Sequence, residues 1–149
     1  MIRATTRGTT LLELSVALAV AGLLGALAAP RLAALLASAE TDTAARRLQS
    51  AIATARAAAV VRGRPALLLV SADSLVIRVV TGADTARIWS AAGPSAQSVV
   101  LTGPDRTLSF GPSGLARGVS NATFRLSRGT AVRQVVMSRL GRTRVLRQP

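Results

Sequence analysis

The chain has no cysteine, no histidine and no lysine, and only three aromatic residues, Trp89, Phe110 and Phe124. Without cysteine there is no disulfide and no thiol chemistry, which is compatible with an extracytoplasmic domain without requiring one. Without histidine as well, a Ser-His or Cys-His nucleophile and the common zinc sites are excluded. Without lysine there is no Walker A motif and no Schiff-base lysine. Carboxylates are scarce too, and Asp73, Asp84 and Asp105 lie in turn-like segments, where a solvated turn residue is the ordinary reading and a paired acid and base is not. An enzyme is therefore a poor reading, and nothing in the chain calls for a cofactor or a metal.

What the chain does have is arginine, alanine and one long apolar run. All nineteen basic residues are arginine; with the alanine richness this reads mainly as genome composition, and only secondarily as a use of bidentate guanidinium geometry. A length of 149 residues bounds the protein to one soluble domain attached to one helix. From Arg31 to Pro149 there are seventeen arginines against Glu40, Asp42, Asp73, Asp84 and Asp105, a balance of plus 12. Such a charge attracts polyanions, whether nucleic acid, anionic lipid or acidic surface polymers.

The first thirty residues carry the most information. A short leader with Arg3 and Arg7 precedes Gly8-Thr9-Thr10-Leu11-Leu12-Glu13-Leu14, and the seventeen residues from Leu14 to Pro30 have no charge. A basic leader ahead of an apolar run orients the segment in a membrane with the arginines on the cytoplasmic side. Thr9 to Pro30 is twenty-two residues, roughly 33 Å as a helix and enough to span a bilayer's hydrocarbon core. A removed signal peptide is the alternative, with Ala26 to Ala29 as small residues for its cleavage site. It leaves Glu13 unexplained: a carboxylate inside the apolar edge costs about 2.5–3.5 kcal/mol on insertion scales and is expected to have a functional partner charge.

This N-terminus, from Gly8 to Leu14 with Pro30 at the far end of the apolar helix, closely resembles that of type IV pilins and pseudopilins. The resemblance implies a prepilin peptidase that cuts after Gly8 on the cytoplasmic face, methylates the new terminus at Thr9, and leaves the apolar helix in the mature subunit. Thr9 departs from the family's usual Phe or Met. Glu13, four residues after Thr9, matches the family's assembly glutamate, and Pro30 its helix-bending proline. The physics agrees: Glu13 can be tolerated in lipid if a neighbouring subunit's free amino terminus lies at the same depth, which sets register between helices. Pro30 lacks an amide donor and its ring crowds the preceding turn, so a kink is expected there, with a plain helix end as the alternative.

Beyond Pro30, apolar residues recur at helical spacing (Leu32, Leu35, Leu36, Ala39, then Leu48, Ile52, Ala55, Ala59), with Arg46 and Arg47 on the other face. Gly63 followed by Pro65 is a stop signal. Short strand-like runs follow at Ala66 to Val70, Leu75 to Val80, Ala86 to Ser90, Ser98 to Leu101, Thr107 to Phe110, Ala122 to Leu126, Val132 to Ser138 and Arg142 to Leu146, separated by glycine and proline turns. The order predicts an α+β fold: a long N-terminal helix, half transmembrane and half amphipathic, packed on antiparallel sheet. The expected division is a leader at 1–8, a transmembrane helix at 9–30, its amphipathic continuation at 31–64 and a β-rich periplasmic domain at 65–149. Leu48 to Arg64, Phe110-Gly111-Pro112-Ser113-Gly114 and the ending Ser138 to Arg144 are similar to the GspH/FimT branch of minor pilins, which includes pseudopilins of type II secretion and minor pilins of type IV pili.

The ending holds the remaining candidates, Arg139, Gly141, Arg142, Arg144 and Arg147. In an extended segment Arg142 and Arg144 point to the same side, about 7 Å apart, and Gly141 allows a bulge or a close backbone approach. Two guanidinium forks at that spacing suit successive phosphates, and the resemblance implies the same, since a Gly-Arg-x-Arg ending is associated with DNA binding in transformation-related minor pilins. The alternative is that the charges protect the edge of a sheet. With so few aromatics, any binding should be to phosphates and insensitive to sequence. The expectation is thus a minor pilin or pseudopilin in the inner membrane, its C-terminal domain in the periplasm. Its partners are the prepilin peptidase and other pilin subunits, and on the second reading double-stranded DNA.

Overall fold

The computed structural model of the chain describes residues 10–118, 121–138 and 140–148. Helix α1 spans Leu11–Arg62. Thr10 caps it: its hydroxyl oxygen accepts the Glu13 amide at 3.2 Å and its carbonyl accepts the Leu14 amide at 3.1 Å, as a Thr-x-x-Glu start favours. Pro30 lies inside α1, so it is not a helix end. The alanines and leucines on both sides are strong helix formers, and one missing amide donor does not outweigh them. Bonds from Gly63 N to the Val60 carbonyl and from Arg64 N to the Ala59 carbonyl, both 3.2 Å, close the C-terminus, and Pro65 cannot continue it.

The chain divides into two compact units at Leu35/Leu36. In the first, every residue from Thr10 to Leu35 is exposed. An eighteen-residue window of α1 has a mean hydropathy of 2.2, long and apolar enough to cross a membrane.

The second unit holds the rest of α1 and nine strands: β1 Ala66–Val70, β2 Ser74–Thr81, β3 Asp84–Ala92, β4 Val100–Thr102, β5 Arg106–Phe110, β6 Ala116–Arg117, β7 Ala122–Arg128, β8 Ala131–Met137 and β9 Thr143–Gln148. They form two antiparallel sheets, ordered β3-β2-β1-β5-β6 and β4-β7-β8-β9. β1 has the predicted bounds; most of the others run a residue or two further than the apolar pattern. The run predicted at Ser98 to Leu101 is shifted. Pro94–Gln97 forms a 3-10 turn, and Ser98 takes φ +52, which breaks the extended path before Val100. β6 was not expected, being too short for any periodicity.

One core joins the helix to both sheets. In α1, Thr41, Ala44, Leu48, Ala51 and Ala55 form a stripe at alternating spacings of three and four, flanked by Ala45, Ile52 and Ala59. Mostly alanine, this stripe lets the helix axis come close to the strands, with Leu48 and Ile52 as its only large side chains. The sheets answer with period-two alternation: Ala66, Leu68 and Val70 in β1, Leu75, Ile77 and Val79 in β2, and Ala122, Phe124 and Leu126 in β7 are buried. Gly93 seats the end of β3 on the β1–β2 turn: its amide donates to the Asp73 carbonyl at 2.9 Å, and a Cβ there would stand 2.3 Å from the Ala72 carbonyl oxygen.

In β8 the inward series is Arg133, Val135, Met137, and Arg133 is only 5% exposed. Its guanidinium makes a bidentate pair with Asp42 of α1, at 2.5 Å from Nε to Oδ1 and 3.1 Å from Nη2 to Oδ2. Nη2 also donates to the Ser38 hydroxyl and Nη1 to the Val132 carbonyl, each at 2.9 Å. Arg147 adds a third bond to Asp42 at 3.2 Å. Hydrogen bonding from Arg133, aided by the charges of Arg133, Arg147 and Arg46, outweighs burial and holds the Asp42 carboxyl below its ordinary value.

A carboxyl lowered by folding stabilises the protein above its unfolded pKa, near 3.8, and that stability is lost as pH falls through the lower folded value. We expect Asp42→Asn, which leaves the buried guanidinium without a counter-charge, to cost about 2–4 kcal/mol at neutral pH. Denaturant titration of both forms from pH 7 to pH 2 checks this: wild type should lose the advantage only below about pH 4, where the two forms converge.

Candidate functional site

The residues singled out by sequence fall in two regions. Gly8 and Thr9 lie outside the described residues. Glu13 stands in the first turn of α1, exposed, where the positive end of the helix dipole favours a carboxylate. Thr10, whose cap fixes that turn, was not singled out, although the Thr-x-x-Glu spacing signals it.

The second region is the turn into β9; Arg139 lies outside the described residues. Ser138 and Arg142 close the turn, with the Gly141 amide donating to the Ser138 carbonyl and the Ser138 amide to the Arg142 carbonyl, both at 2.9 Å. Gly141 is buried at φ +74, so glycine is required here by a tight turn and not by a bulge. The Arg56 side chain of α1 reaches this point: a Cβ on Gly141 would be 3.8 Å from its Nη1, and one on Gly114 would be 3.3 Å from its Nε. The Phe110–Gly114 loop and the β9 turn, far apart in sequence, thus meet over one guanidinium.

β9 forms the edge of its sheet, paired with β8 alone. Thr143 and Val145 are half-buried, whereas Arg144 and Leu146 are exposed. Arg142 and Arg144 line one groove of about 460 Å3 with Val136, Ser138, Thr143 and Leu146. Arg147 has the parity of Val145 and turns to Asp42. The structure therefore brings Arg142 and Arg144 together and places Arg147 on the other side of the strand.

The acids explain this division. Glu40 pairs with Arg128, which also donates to the Gln97 carbonyl at 2.9 Å, and Asp42 takes Arg133 and Arg147. Among the described residues Arg142 and Arg144 have no carboxylate partner. Arg47, expected on a solvent face, is half-buried, and its guanidinium donates to the Gln97 side-chain oxygen at 2.9 and 3.1 Å once that amide is turned toward it. Asp42, Arg133 and Arg56 were not singled out as site residues. A charge at an inward strand position, as at Arg133, was the available signal for the first two.

The model of the family described as Type II transport protein GspH matches residues 44–141. The chain belongs to the GspH family. Members are pilin-like minor pilins and pseudopilins, filament subunits and not enzymes. The fold is similar to two crystal structures of the type IV minor pilin FimU of Pseudomonas aeruginosa strain PAO1. The P21 form has 21% identity and a TM-score of 0.59 over 74% of this chain and 89% of that one. The P65 form has 19% identity and a TM-score of 0.55 over 72% and 92%. No curated protein matches the chain by sequence. Both the Gly8 to Pro30 segment and the pair Arg142 and Arg144 lie outside the stretch that the GspH model matches.

Proposed function

We propose that this GspH-family chain is a minor subunit of a type II secretion or type IV pilus filament. A prepilin peptidase cuts it after Gly8 and methylates Thr9, and the helix holds it in the inner membrane, with the folded domain in the periplasm, until it assembles. The observation that carries this reading is the stretch Thr10 to Leu35, exposed throughout and uncharged from Leu14 to Pro30, with Glu13 at its start. A helix so bare requires lipid or other helices around it, and Glu13 requires a cation, which a neighbour's amino terminus at Thr9 supplies. Pro30 then marks the boundary between the membrane-embedded part and the domain.

A second reading, capture of double-stranded DNA, is favoured by Arg142 and Arg144, which share one groove without a carboxylate partner among the described residues. The same arginines on an edge strand also discourage sheet-to-sheet aggregation.

Intact-mass measurement of membrane-extracted protein is expected to show loss of residues 1–8 and retention of the apolar helix. A mature terminus after Ala28 or Ala29 would instead identify a removed signal and end the filament reading. Glu13→Ala is expected to insert in membranes as well as wild type or slightly better, while its recovery in sheared filaments drops severalfold. Normal incorporation would show that Glu13 does not set register.

For DNA, the full chain in detergent is expected to bind duplex of any sequence weakly, with affinity falling steeply as salt rises. Changing Arg142 and Arg144 together to Gln should weaken binding and flatten the salt slope by roughly one unit per lost contact. Arg78 and Arg87, paired across β2 and β3 and exposed, are the matched control, since Arg47 is engaged with Gln97. Equal losses from both pairs would mean diffuse attraction with no dedicated site.

A further inference from the structure

Where the flank of α1 meets the Gly141 turn, the second unit carries a groove of about 490 Å3, lined by Ile52, Ala53, Ala57 and Val60 and by two arginines, Arg56 and Arg142. No acidic residue lines it. Among the described residues beyond the first unit and Leu36, the large apolar residues that remain exposed are Val60, Val61, Val100, Leu115, Leu140 and Leu146. Val60 and Val61 line this groove, Leu140 adjoins Gly141, and Leu115 adjoins Gly114, whose Cβ would touch Val60 at 3.0 Å. Exposed Val60 and Val61 therefore stand in the same groove as one pair of arginines, with Leu115 and Leu140 next in the chain to the two glycines that the Arg56 side chain reaches. Scattered exposed apolar residues need no explanation, but a cluster of this kind marks an interaction site.

We propose that this groove docks a segment of a neighbouring, non-identical subunit that presents an aspartate or glutamate beside apolar side chains, the carboxylate sitting between Arg56 and Arg142. The proposal rests on the filament reading above and names the kind of neighbour. Charge selects the occupant. From Arg31 on, a second copy has seventeen arginines against five acids, and most of its few acids are engaged: Glu40 and Asp42 in ion pairs, Asp73 in accepting the Ser95 hydroxyl at 2.7 Å, and Glu13 in the apolar segment. A nucleic acid would bring phosphates but nothing for the apolar walls. An acidic protein segment satisfies both, and arginine is suited to hold a carboxylate in a site shielded by apolar contact.

The absence of cysteine gives a direct test. Ala57 is exposed on a helix, and Ala57→Cys would carry the only thiol of the full-length chain, to which a photo-crosslinker can be attached in the native assembling system. Ala83→Cys, in the β2–β3 turn, is the control position. The expected result is a crosslink from position 57 to a different subunit, at a segment containing a carboxylate. Joint replacement of Arg56 and Arg142 by Glu should lower its yield about tenfold or more, and changing the partner's carboxylate to Arg should restore it. Arg144→Gln, which alters the DNA candidate alone, should leave the yield unchanged. Protease resistance of the double variant shows that it still folds; if it does not, Arg56→Gln with Arg142→Gln is read instead and should lower the yield in the same direction. Crosslinks to a second copy or to nucleic acid, a yield no higher than at position 83, or a yield indifferent to the charge changes would overturn the proposal. If any of these is found while the chain is present in filaments, only the docking site fails; if the chain enters no filament, the filament reading fails with it.

Discussion

The bond between Asp42 and Arg133 ties the second sheet to the helix, and much of the rest follows from the scarcity of acids that makes it distinctive. A guanidinium on the inward side of β8 is admissible only with a charge opposite it, because a buried ion without a partner costs several kcal/mol. Asp42 supplies that charge in bidentate form, and Ser38 and the Val132 carbonyl accept from two more of its N–H groups. The pair is directional where the alanine stripe of α1 is not. Ala44, Ala51 and Ala55 would pack about as well after a small slide along the helix axis, whereas a fork-to-carboxylate contact would be lost. The apolar contacts supply most of the attraction, and the ion pair fixes where along the helix the sheet sits.

The same scarcity sorts the arginines. Glu40 takes Arg128 and Asp42 takes Arg133 and Arg147, so part of the positive charge is offset on the flanks of α1 near residues 38–47. Beyond Asp42 α1 holds no acid, and Arg56, Arg62 and Arg64 follow one another along the chain. The turn at Gly141 adds Arg142 to that side, and the alternation of β9 adds Arg144 to the outer face of the sheet. Positive charge is thus offset unevenly over the domain, and exposed Val60 and Val61 lie where no acid offsets it. Diffuse positive charge would steer any polyanion, but the coincidence of charge with apolar surface is more selective.

The legible parts of this fold were those written in short stretches of sequence. β7 alternates buried and exposed residues, β1 and β2 are short apolar runs bounded by turn formers, and α1 ends at its Gly63-Pro65 stop. The helical series was legible only in part: Leu48, Ile52, Ala55 and Ala59 are buried, whereas Leu32, Leu35, Leu36 and Ala39 are exposed, and Thr41 and Ala44 take the inward positions there. The N-terminal segment was legible for a different reason: its chemistry lies within consecutive residues. What could not be read depends on distance along the chain. Asp42 and Arg133 are 91 residues apart, and Arg56 meets Gly114 and Gly141 only because two turns are folded over the same helix flank. Ser98 defeated the predicted start of β4 because its left-handed backbone has no signature in a polar residue following a proline turn. The parity of Arg147 sets it with Val145, opposite Arg142 and Arg144, but its partner Asp42 is remote in sequence.

The magnitudes also separate what Glu13 does from what the apolar helix does. From Leu11 to Leu27 nine leucine and valine side chains are each at least half exposed, and at about 1.5–3 kcal/mol for each one fully buried, removing them from water is worth roughly 15–25 kcal/mol. The cost of one carboxylate at the apolar edge is about 3 kcal/mol. If the helix enters a membrane, as proposed, the apolar side chains decide its burial with or without Glu13, and the carboxylate would act on what remains: the depth and neighbour at which the helix comes to rest. A helix in plain lipid can slide until Glu13 reaches the interface, at little loss. Among packed helices it cannot slide independently, and a cation at one fixed height becomes the only relief. On the proposed filament reading, Glu13 would accordingly select between positions within an assembly, much as Asp42 fixes the position of the sheet along the helix inside the folded domain.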